Sequence, residues 1–230
     1  MSQSEHAQPA EKSGAAERIN VTLNVRKLQL ALSPTKYQTE ADSTYLHSLF
    51  QFDPNTSALL VIDPWADFVN EGWVQRAQEN MREYLRPLIR TARDNAVRVI
   101  YLPSEKEISS IVAPKQGDIV IRGMNYGNEL EGKLFDGGVE TLFYSGYAAN
   151  ICLLEKPGGV RRMHERSPSR NFVIVRDATI GFELPETLEG EWLKKAAIFT
   201  FEYYFGSSTT VADFMSAFES PRPSTCRNFI

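Results

Sequence analysis

The sequence predicts an α/β protein built as a single domain. From residue 58 onward, short apolar runs alternate with helix-like segments, and this alternation implies a mostly parallel sheet whose faces are covered by helices. The chain has 230 residues, of which 42% are hydrophobic and 23% charged, so it can form one large domain with a substantial core. We therefore expect a Rossmann-like three-layer sandwich with a mostly parallel central sheet.

The first half of the alternation predicts three strands and two helices. Residues 58–63 form an apolar run that is typical of a strand buried on both faces. Residues 74–95 have the apolar spacing of a helix, with Met81, Leu85 and Leu88 on one face. Beyond this helix the pattern predicts strands at 97–102 and 118–121 and a helix over 126–135.

The second half predicts two further strands, at 141–146 and 172–176. Between them, residues 151–166 should be helical but broken near Pro157, because proline removes a backbone donor. Residues 184–204 are predicted to be largely helical. Residues 207–210, Ser-Ser-Thr-Thr, are expected to cap a last helix over 211–218.

The two ends of the chain are predicted to lie outside the domain. Residues 1–17 are polar and are expected to form a disordered tail, and residues 221–230 a second tail. The domain itself is predicted to span residues 57–220.

Residues 18–56 are predicted to form an N-terminal extended arm. Apolar residues alternate with polar ones at strand period from Ile19 to Val25, and the apolar phase then changes at Leu28. A bend or bulge between Val25 and Leu28 would explain the change. Such an arm is expected to pack on its own body or on a neighbouring subunit.

Composition excludes several classes of partner. Acidic residues outnumber basic ones, 29 to 25, and the sequence shows no basic stripe, which argues against nucleic acid or an anionic membrane. Two cysteines do not make a disulfide scaffold and fit a reducing compartment. The polar N-terminus resembles neither a signal nor a transit peptide, so we expect a cytoplasmic protein.

The most informative segment is the turn over residues 144–152, Tyr-Ser-Gly-Tyr-Ala-Ala-Asn-Ile-Cys. It ends an apolar strand and places Cys152 at the start of a helix, where unpaired N–H groups can lower a thiol pKa and hold an oxyanion. Asp63, at the end of an earlier strand, is a possible base. The commoner role of a single cysteine is that of an inert core residue.

Two side chains and one turn are predicted to meet at one edge of the sheet. Asp63, Arg122 and the turn before Cys152 all follow the carboxyl ends of predicted strands, where ligands bind in open α/β sheets. They are expected to share one crevice.

Three segments resemble the isochorismatase-like cysteine hydrolases, which include the nicotinamidase-related amidohydrolases. Residues 58–68 resemble the family's first strand and turn, in which an Asp is followed by an Asp-Phe pair. Residues 141–152 resemble its glycine turn and nucleophilic cysteine, and residues 171–178 its later strand with an Asp-Ala pair. Residues 57–220 are thereby identified as an isochorismatase-like hydrolase domain.

The resemblance implies a catalytic Asp, Lys and Cys. Asp63 matches the Asp and Cys152 the Cys, whereas Arg122 stands where the family has its Lys. Arginine cannot share a proton at neutral pH, but it can hold the Asp63 carboxylate and favour a thiolate. Lys115, seven residues earlier, is the alternative if the strand register differs.

The resemblance also implies the surroundings of these residues. The Tyr147–Ala148 peptide bond should be cis, with the Ala148 N–H beside that of Cys152 in an oxyanion site. From the residues themselves, Trp65, Phe68, Tyr126 and Tyr147 are expected to contact substrate, and ordinary core positions are the alternative for Trp65 and Tyr147. The metal ligands of the nicotinamidase branch have no counterpart, because residues 101–107, where that branch has them, contain no histidine. No metal and no cofactor are therefore predicted.

The function that these residues predict is hydrolysis of a C–N bond in a small amide, ureide or carbamoyl compound through a Cys152 thioester. One alternative is vinyl ether hydrolysis of the isochorismate type, which needs an Asp but no thiol. The other is a non-catalytic family member with a binding role, which the arginine at position 122 keeps open. A dimer or tetramer is expected by resemblance.

Overall fold

The structure is a computed structural model, and it describes residues 18–29, 44–67, 71–123 and 125–219. The strands and helices of these residues follow the alternating order that the sequence predicts. The elements are β1 (Val21–Gln29), β2 (Thr44–Phe52), β3 (Ser57–Ile62), α1 (Glu71–Asn80), a π-helical turn (Met81–Leu85), α2 (Arg86–Asp94), β4 (Arg98–Ser104), β5 (Ile119–Arg122), α3 (Gly127–Asp136), β6 (Thr141–Tyr147), α4 (Cys152–Glu155), α5 (Val160–Arg166), β7 (Asn171–Ile180), α6 (Trp192–Tyr204), β8 (Ser207–Thr209) and α7 (Val211–Glu219).

The eight strands form one sheet in the order β2-β1-β8-β7-β6-β3-β4-β5. All neighbours from β8 to β5 pair in parallel, and β1 pairs antiparallel with both β8 and β2. The prediction of a mostly parallel α/β sandwich is confirmed.

Alternate residues of β3 supply the two halves of the core. Leu59 and Val61 pack on one face of the sheet in a cluster that includes Leu88 of α2. Leu60 lies on the other face, in a cluster that includes Leu130 of α3. Because every residue of β3 is buried, the strand has an uninterrupted apolar sequence.

The N-terminal arm forms a hairpin at the edge of this same sheet. Its register with β2 is unbroken from Val21 to Gln29, so the predicted bend near Leu28 is wrong. The apolar phase changes for another reason: Arg26, which turns to the other face, pairs with the buried Glu202 of α6 at 2.9 Å. A charged contact to a helix thus replaces apolar burial.

Two other expectations differ from the structure. Residues 207–210 were predicted to cap the last helix, but 207–209 form strand β8, and only Thr210 acts as a cap: its side chain accepts a hydrogen bond from the N–H of Asp213. Helix α6 begins at Trp192, not near residue 184. The predicted tails, 1–17 and 221–230, lie outside the described residues. Within the part of the chain that is described, no helix has both the length and the apolar character to cross a membrane.

Candidate active site

The site begins where two neighbouring parallel strands end. Ile62 of β3 pairs with Gly146 of β6, so the residue after each strand lies at the same edge of the sheet. Gly146 has a φ of 102°, and a Cβ there would come within 2.0 Å of the Ile62 carbonyl oxygen. Only glycine allows this close approach of the two strand ends.

Asp63 and Cys152 lie together at this edge, as the sequence predicts. Asp63 is 1% exposed, and Cys152, the first residue of α4, is half-buried. The Asp63 carboxyl group and the Cys152 thiol are close enough for each to shift the pKa of the other. The Tyr147–Ala148 peptide bond is cis, and the Ala148 backbone N–H lowers the pKa of Cys152.

Lys156 supplies the positive charge of the site. Its Nζ contacts Oδ2 of Asp63 and lies 2.6 Å from Oγ of Ser104. Ser104 in turn donates to the other carboxylate oxygen, Oδ1, at 3.2 Å. Lys156 and Ser104 therefore hold both oxygens of Asp63.

The predicted contact between Arg122 and Asp63 is wrong. Arg122 is exposed, and its Nη1 donates to the backbone oxygen of Lys106 at 2.9 Å. The reason is the alternation of β5, in which Ile121 is buried and the next side chain therefore points the other way. Lys115 does not replace it: the segment that carries Lys115 is anchored by its backbone N–H to Asp118.

Sequence reasoning missed Lys156 and Ser104. One signal for Lys156 was available: it lies four residues after Cys152, a spacing that places two side chains on the same face of a helical turn. Ser104 ends β4, the other neighbour of β3 in the sheet, and so follows the same strand-end rule as Asp63.

Burial and mutual interaction set the protonation of the pair. Burial raises the pKa of Asp63, and the hydrogen bonds from Lys156 and Cys152 offset part of that rise. Burial, followed by the charge of Asp63, raises the pKa of Cys152 to about 12. The expected lowering by the helix N-terminus is overridden, since α4 has only four residues. At neutral pH the resting thiol is therefore protonated and Asp63 is the neighbouring acceptor.

We expect this electrostatic coupling to be visible in alkylation of Cys152. In a Cys226→Ser background, the rate with iodoacetamide should keep rising with pH beyond 10, toward a midpoint near the pKa of about 12. Asp63→Asn removes a charge that disfavours the thiolate, so the midpoint should move to lower pH. A midpoint below that of an ordinary thiol in the unsubstituted site, or an upward movement in Asp63→Asn, would contradict this assignment.

The aromatic residues predicted to contact substrate have different surroundings. The Trp65 Nε1 donates to the Pro103 carbonyl at 2.7 Å, and its ring centroid lies 5.1 Å from Nζ of Lys156 and 4.6 Å from that of Lys106. Trp65 is thus a partly buried wall beside the Asp63–Lys156 pair.

Tyr126 and Tyr147 lie deeper than Trp65. Tyr126 is 3% exposed, and burial, with the charges of Asp63 and Cys152, raises its pKa. Tyr147 is fully buried, and its hydroxyl donates to Oδ1 of Asn80 at 2.9 Å on helix α1. Its side chain is therefore a core residue, and only its backbone belongs to the turn. Phe68 lies outside the described residues.

No three His, Cys, Asp or Glu side chains cluster in a way that could hold a metal ion in the part of the chain that the structure describes. The arrangement places a buried carboxylate between an ammonium group and a thiol, with the backbone of the cis-peptide turn beside the sulfur.

Comparison of the sequence with curated proteins finds enzymes of one kind. The chain is 29% identical over 117 residues to the ureidoacrylate amidohydrolase RutB of Azorhizobium caulinodans, which covers 49% of this chain and 46% of that protein. RutB of Enterobacter sp. is 27% identical over 114 residues, 48% of this chain and 45% of its own. The matched part of the chain spans about half the length of these relatives. No family model matches the sequence.

Comparison with solved structures finds the same fold over most of the chain. A cysteine hydrolase from Pseudomonas syringae pv. phaseolicola has a TM-score of 0.62 at 19% identity, over 74% of this chain and 95% of that one. N-carbamoylsarcosine amidase from Thermoplasma acidophilum has a TM-score of 0.52 at 18% identity, over 68% and 96%. An isochorismatase family protein from Burkholderia thailandensis has 0.56 at 18%, over 74% and 98%. These likenesses show that the chain has the isochorismatase-like fold, and the sequence matches make it similar to amidohydrolases.

Proposed function

We propose that this protein is a cysteine amidohydrolase that cleaves a C–N bond in a small amide, ureide or carbamoyl compound. The observation that carries the proposal is the cluster in which Asp63 lies between the thiol of Cys152 and the ammonium group of Lys156. The relatives, ureidoacrylate amidohydrolase and N-carbamoylsarcosine amidase, are named for acting on ureido or carbamoyl compounds.

In the proposed first step, Asp63 takes the proton of the Cys152 thiol as the sulfur attacks the carbonyl carbon. The raised pKa of Asp63 suits it to this transfer, because a general base works best when its pKa is near the operating pH. The oxyanion of the tetrahedral intermediate accepts hydrogen bonds from the N–H groups of Ala148 and Cys152. A well-placed donor of this kind contributes about 3 to 4 kcal/mol.

In the second step, Asp63 gives its proton to the departing nitrogen. The C–N bond breaks, ammonia or an amine leaves, and an acyl group remains on the sulfur of Cys152. Asp63 then takes a proton from water as the water oxygen attacks the acyl carbon. The C–S bond breaks, the acid leaves, and Asp63 returns the proton to the Cys152 sulfur. Lys156 and Ser104 position the Asp63 carboxylate throughout. The ammonium group of Lys156 also stabilises the charged form of that carboxylate.

The same contacts bear on the two alternatives. The substitution at position 122 favoured a non-catalytic member, but Lys156 provides the positive charge that Arg122 does not, so this reason falls away. Vinyl ether hydrolysis would leave without a role a thiol that lies close enough to Asp63 for the two groups to shift each other's pKa.

The experiment that tests the proposal is detection of the acyl-enzyme. The protein is mixed with ureidoacrylate, N-carbamoylsarcosine and simple primary amides, quenched in acid within a second, and measured by intact mass and peptide mapping. We expect release of ammonia or amine and an adduct with the mass of the acyl part on Cys152. The second cysteine, Cys226, is the internal control thiol. Turnover with no adduct at any quench time, or an adduct on Cys226 alone, would contradict the covalent mechanism.

A further inference from the structure

A cavity lies away from the strand ends, between helix α2 and the segment over residues 110–115. Its volume is about 500 Å³, and five cationic residues line it: Arg82, Arg86, Arg90, Arg93 and Lys115. No acidic residue is among the described residues of its lining. Since the chain as a whole has a net charge of −4, this is a local concentration of positive charge.

Two of the five cations have carboxylate partners. Arg93 is paired with Asp118 at 2.5 Å, and this contact is largely buried, so its charge is neutralised. Arg90 lies 3.6 Å from Asp94, but both side chains are more than 60% exposed, and such pairs contribute little.

The other three cations are not neutralised within the described part of the chain. Arg82 donates to the neutral amide oxygen of Gln78 at 3.2 Å. The side chains of Arg86 and Lys115 have neither an ion pair nor a hydrogen bond with a described residue. The cavity therefore presents donors and positive charge without a protein acceptor.

The spacing of the arginines shows that the expectation of no basic stripe is wrong. Arg82, Arg86 and Arg90 follow one another at intervals of four residues, and like charges at this spacing destabilise a helix by roughly 0.2–0.5 kcal/mol per pair. The stripe begins in the π-helical turn Met81–Leu85. Such turns are rare and frequent at functional sites. The like-charge spacing and the π-helical turn are both consistent with a site in which a bound anion neutralises the arginines.

Apart from Ser110, the remaining lining is apolar. Pro87, Ile89, Ile111 and Val112 form one wall, and the volume lies within the usual range for small-molecule sites. A bare phosphate would fill only part of it. We propose that this cavity binds a phosphorylated small molecule, with the phosphoryl group between Arg86 and Lys115 and an apolar or planar group against Ile89 and Ile111.

The cavity wall is continuous with the loop beside the nucleophile. The Ser109 N–H donates to the Pro64 carbonyl at 2.8 Å, and the Ala66 N–H donates to the Glu107 carbonyl at 2.9 Å. Trp65 forms a β-bridge with Ile108 between these contacts. Residues 107–112 thus join the wall of the cavity to the turn after Asp63.

Thermal unfolding tests the proposal on the full chain. AMP, inorganic phosphate, adenosine and citrate are each titrated at constant ionic strength set with sodium chloride. We expect AMP to raise Tm saturably, by at least about 3 °C, because a ligand that binds only the folded state stabilises it by mass action. Phosphate should give a smaller saturable rise and adenosine none.

Matched double variants locate the binding. Arg86→Gln/Lys115→Gln should lose the saturable rise. Lys27→Gln/Arg162→Gln, which removes the same charge from exposed positions elsewhere, should keep it. Both should have baseline Tm values near that of the parent, because all four side chains are exposed. A non-saturable rise, an equal response in the two variants, a rise with adenosine equal to that with AMP, or a rise with citrate equal to that with phosphate would each overturn the proposal. None of these outcomes depends on the reaction proposed for Cys152.

Discussion

Replacement of Cys152 by alanine is expected to abolish turnover, lowering kcat by at least about 10⁴-fold, because it removes the thiol that the proposed thioester requires. The fold should persist. The side chain is half-buried, and the main chain of its turn is held by bonds that alanine retains, such as that from the Leu153 N–H to the Ala148 carbonyl at 3.2 Å. The measurements are steady-state kinetics on a substrate that forms the acyl-enzyme, and Tm.

The matched control is Cys226→Ala, which removes the other thiol of the chain and should keep full activity. Activity within tenfold of the parent in Cys152→Ala would exclude a thioester and would favour an acid reaction of Asp63, as in vinyl ether hydrolysis. Loss of activity together with a large fall in Tm would be uninformative for the alanine variant, so Cys152→Ser, which keeps the size of the side chain, provides the second reading. A serine variant as active as the parent would contradict the requirement for a thiol.

The second large effect is expected at Lys156. Lys156→Ala should lower kcat/KM by about 10²–10⁴-fold, because the carboxylate of Asp63, 1% exposed, would lose the ammonium group that stabilises its charged form. Arg122→Ala should leave kcat/KM within about threefold, since Arg122 is bonded to the Lys106 carbonyl. Each substitution removes one positive charge, so the comparison shows which of the two residues stabilises the Asp63 carboxylate.

The pH profile separates positioning from simple structural damage. Lys156 lowers the pKa of Asp63, so its removal should raise that pKa further. If Asp63 acts as the base, kcat/KM is lost as pH falls through its pKa, and the acid limb should move to higher pH in Lys156→Ala. Lys156→Arg should restore much of the profile. An acid limb that does not move in Lys156→Ala would contradict this role for Lys156. A large loss of kcat/KM in Arg122→Ala with none in Lys156→Ala would assign the role to Arg122, as the sequence predicted.

The sequence predicted the strand ends well because the physics there is local. An uninterrupted apolar run such as 58–62 is typical of a strand buried on both faces, and the parallel arrangement that alternating helices impose brings its carboxyl end beside that of β6. The meeting of Asp63 and Cys152 follows from these two facts. Gly146 was recognisable as the turn residue for the same reason. The sequence did not show that a Cβ at this position would come within 2.0 Å of the Ile62 carbonyl oxygen.

Boundaries and the outer strands were predicted less well. Strand β8 has only three residues, and its identity depends on pairing with β7, which no local pattern of Ser and Thr encodes. The change in apolar alternation after Val25 predicts a bend. The structure instead has an unbroken strand, and Arg26 pairs with the buried Glu202. In both places a distant partner outweighs local preference.

By itself the sequence determined that a parallel sheet brings a carboxylate and a thiol to one edge, because strand direction and helix crossover leave few other arrangements. The tertiary structure decided which cation joins them. Arg122 is the last residue of β5, and Lys156 directly follows helix α4. Because side chains alternate along β5 and Ile121 is buried, the side chain of Arg122 points away from the site. It also decided that Arg82, Arg86 and Arg90 face Lys115 across one cavity, because that neighbour comes from a segment some 25 residues later, which only packing brings close.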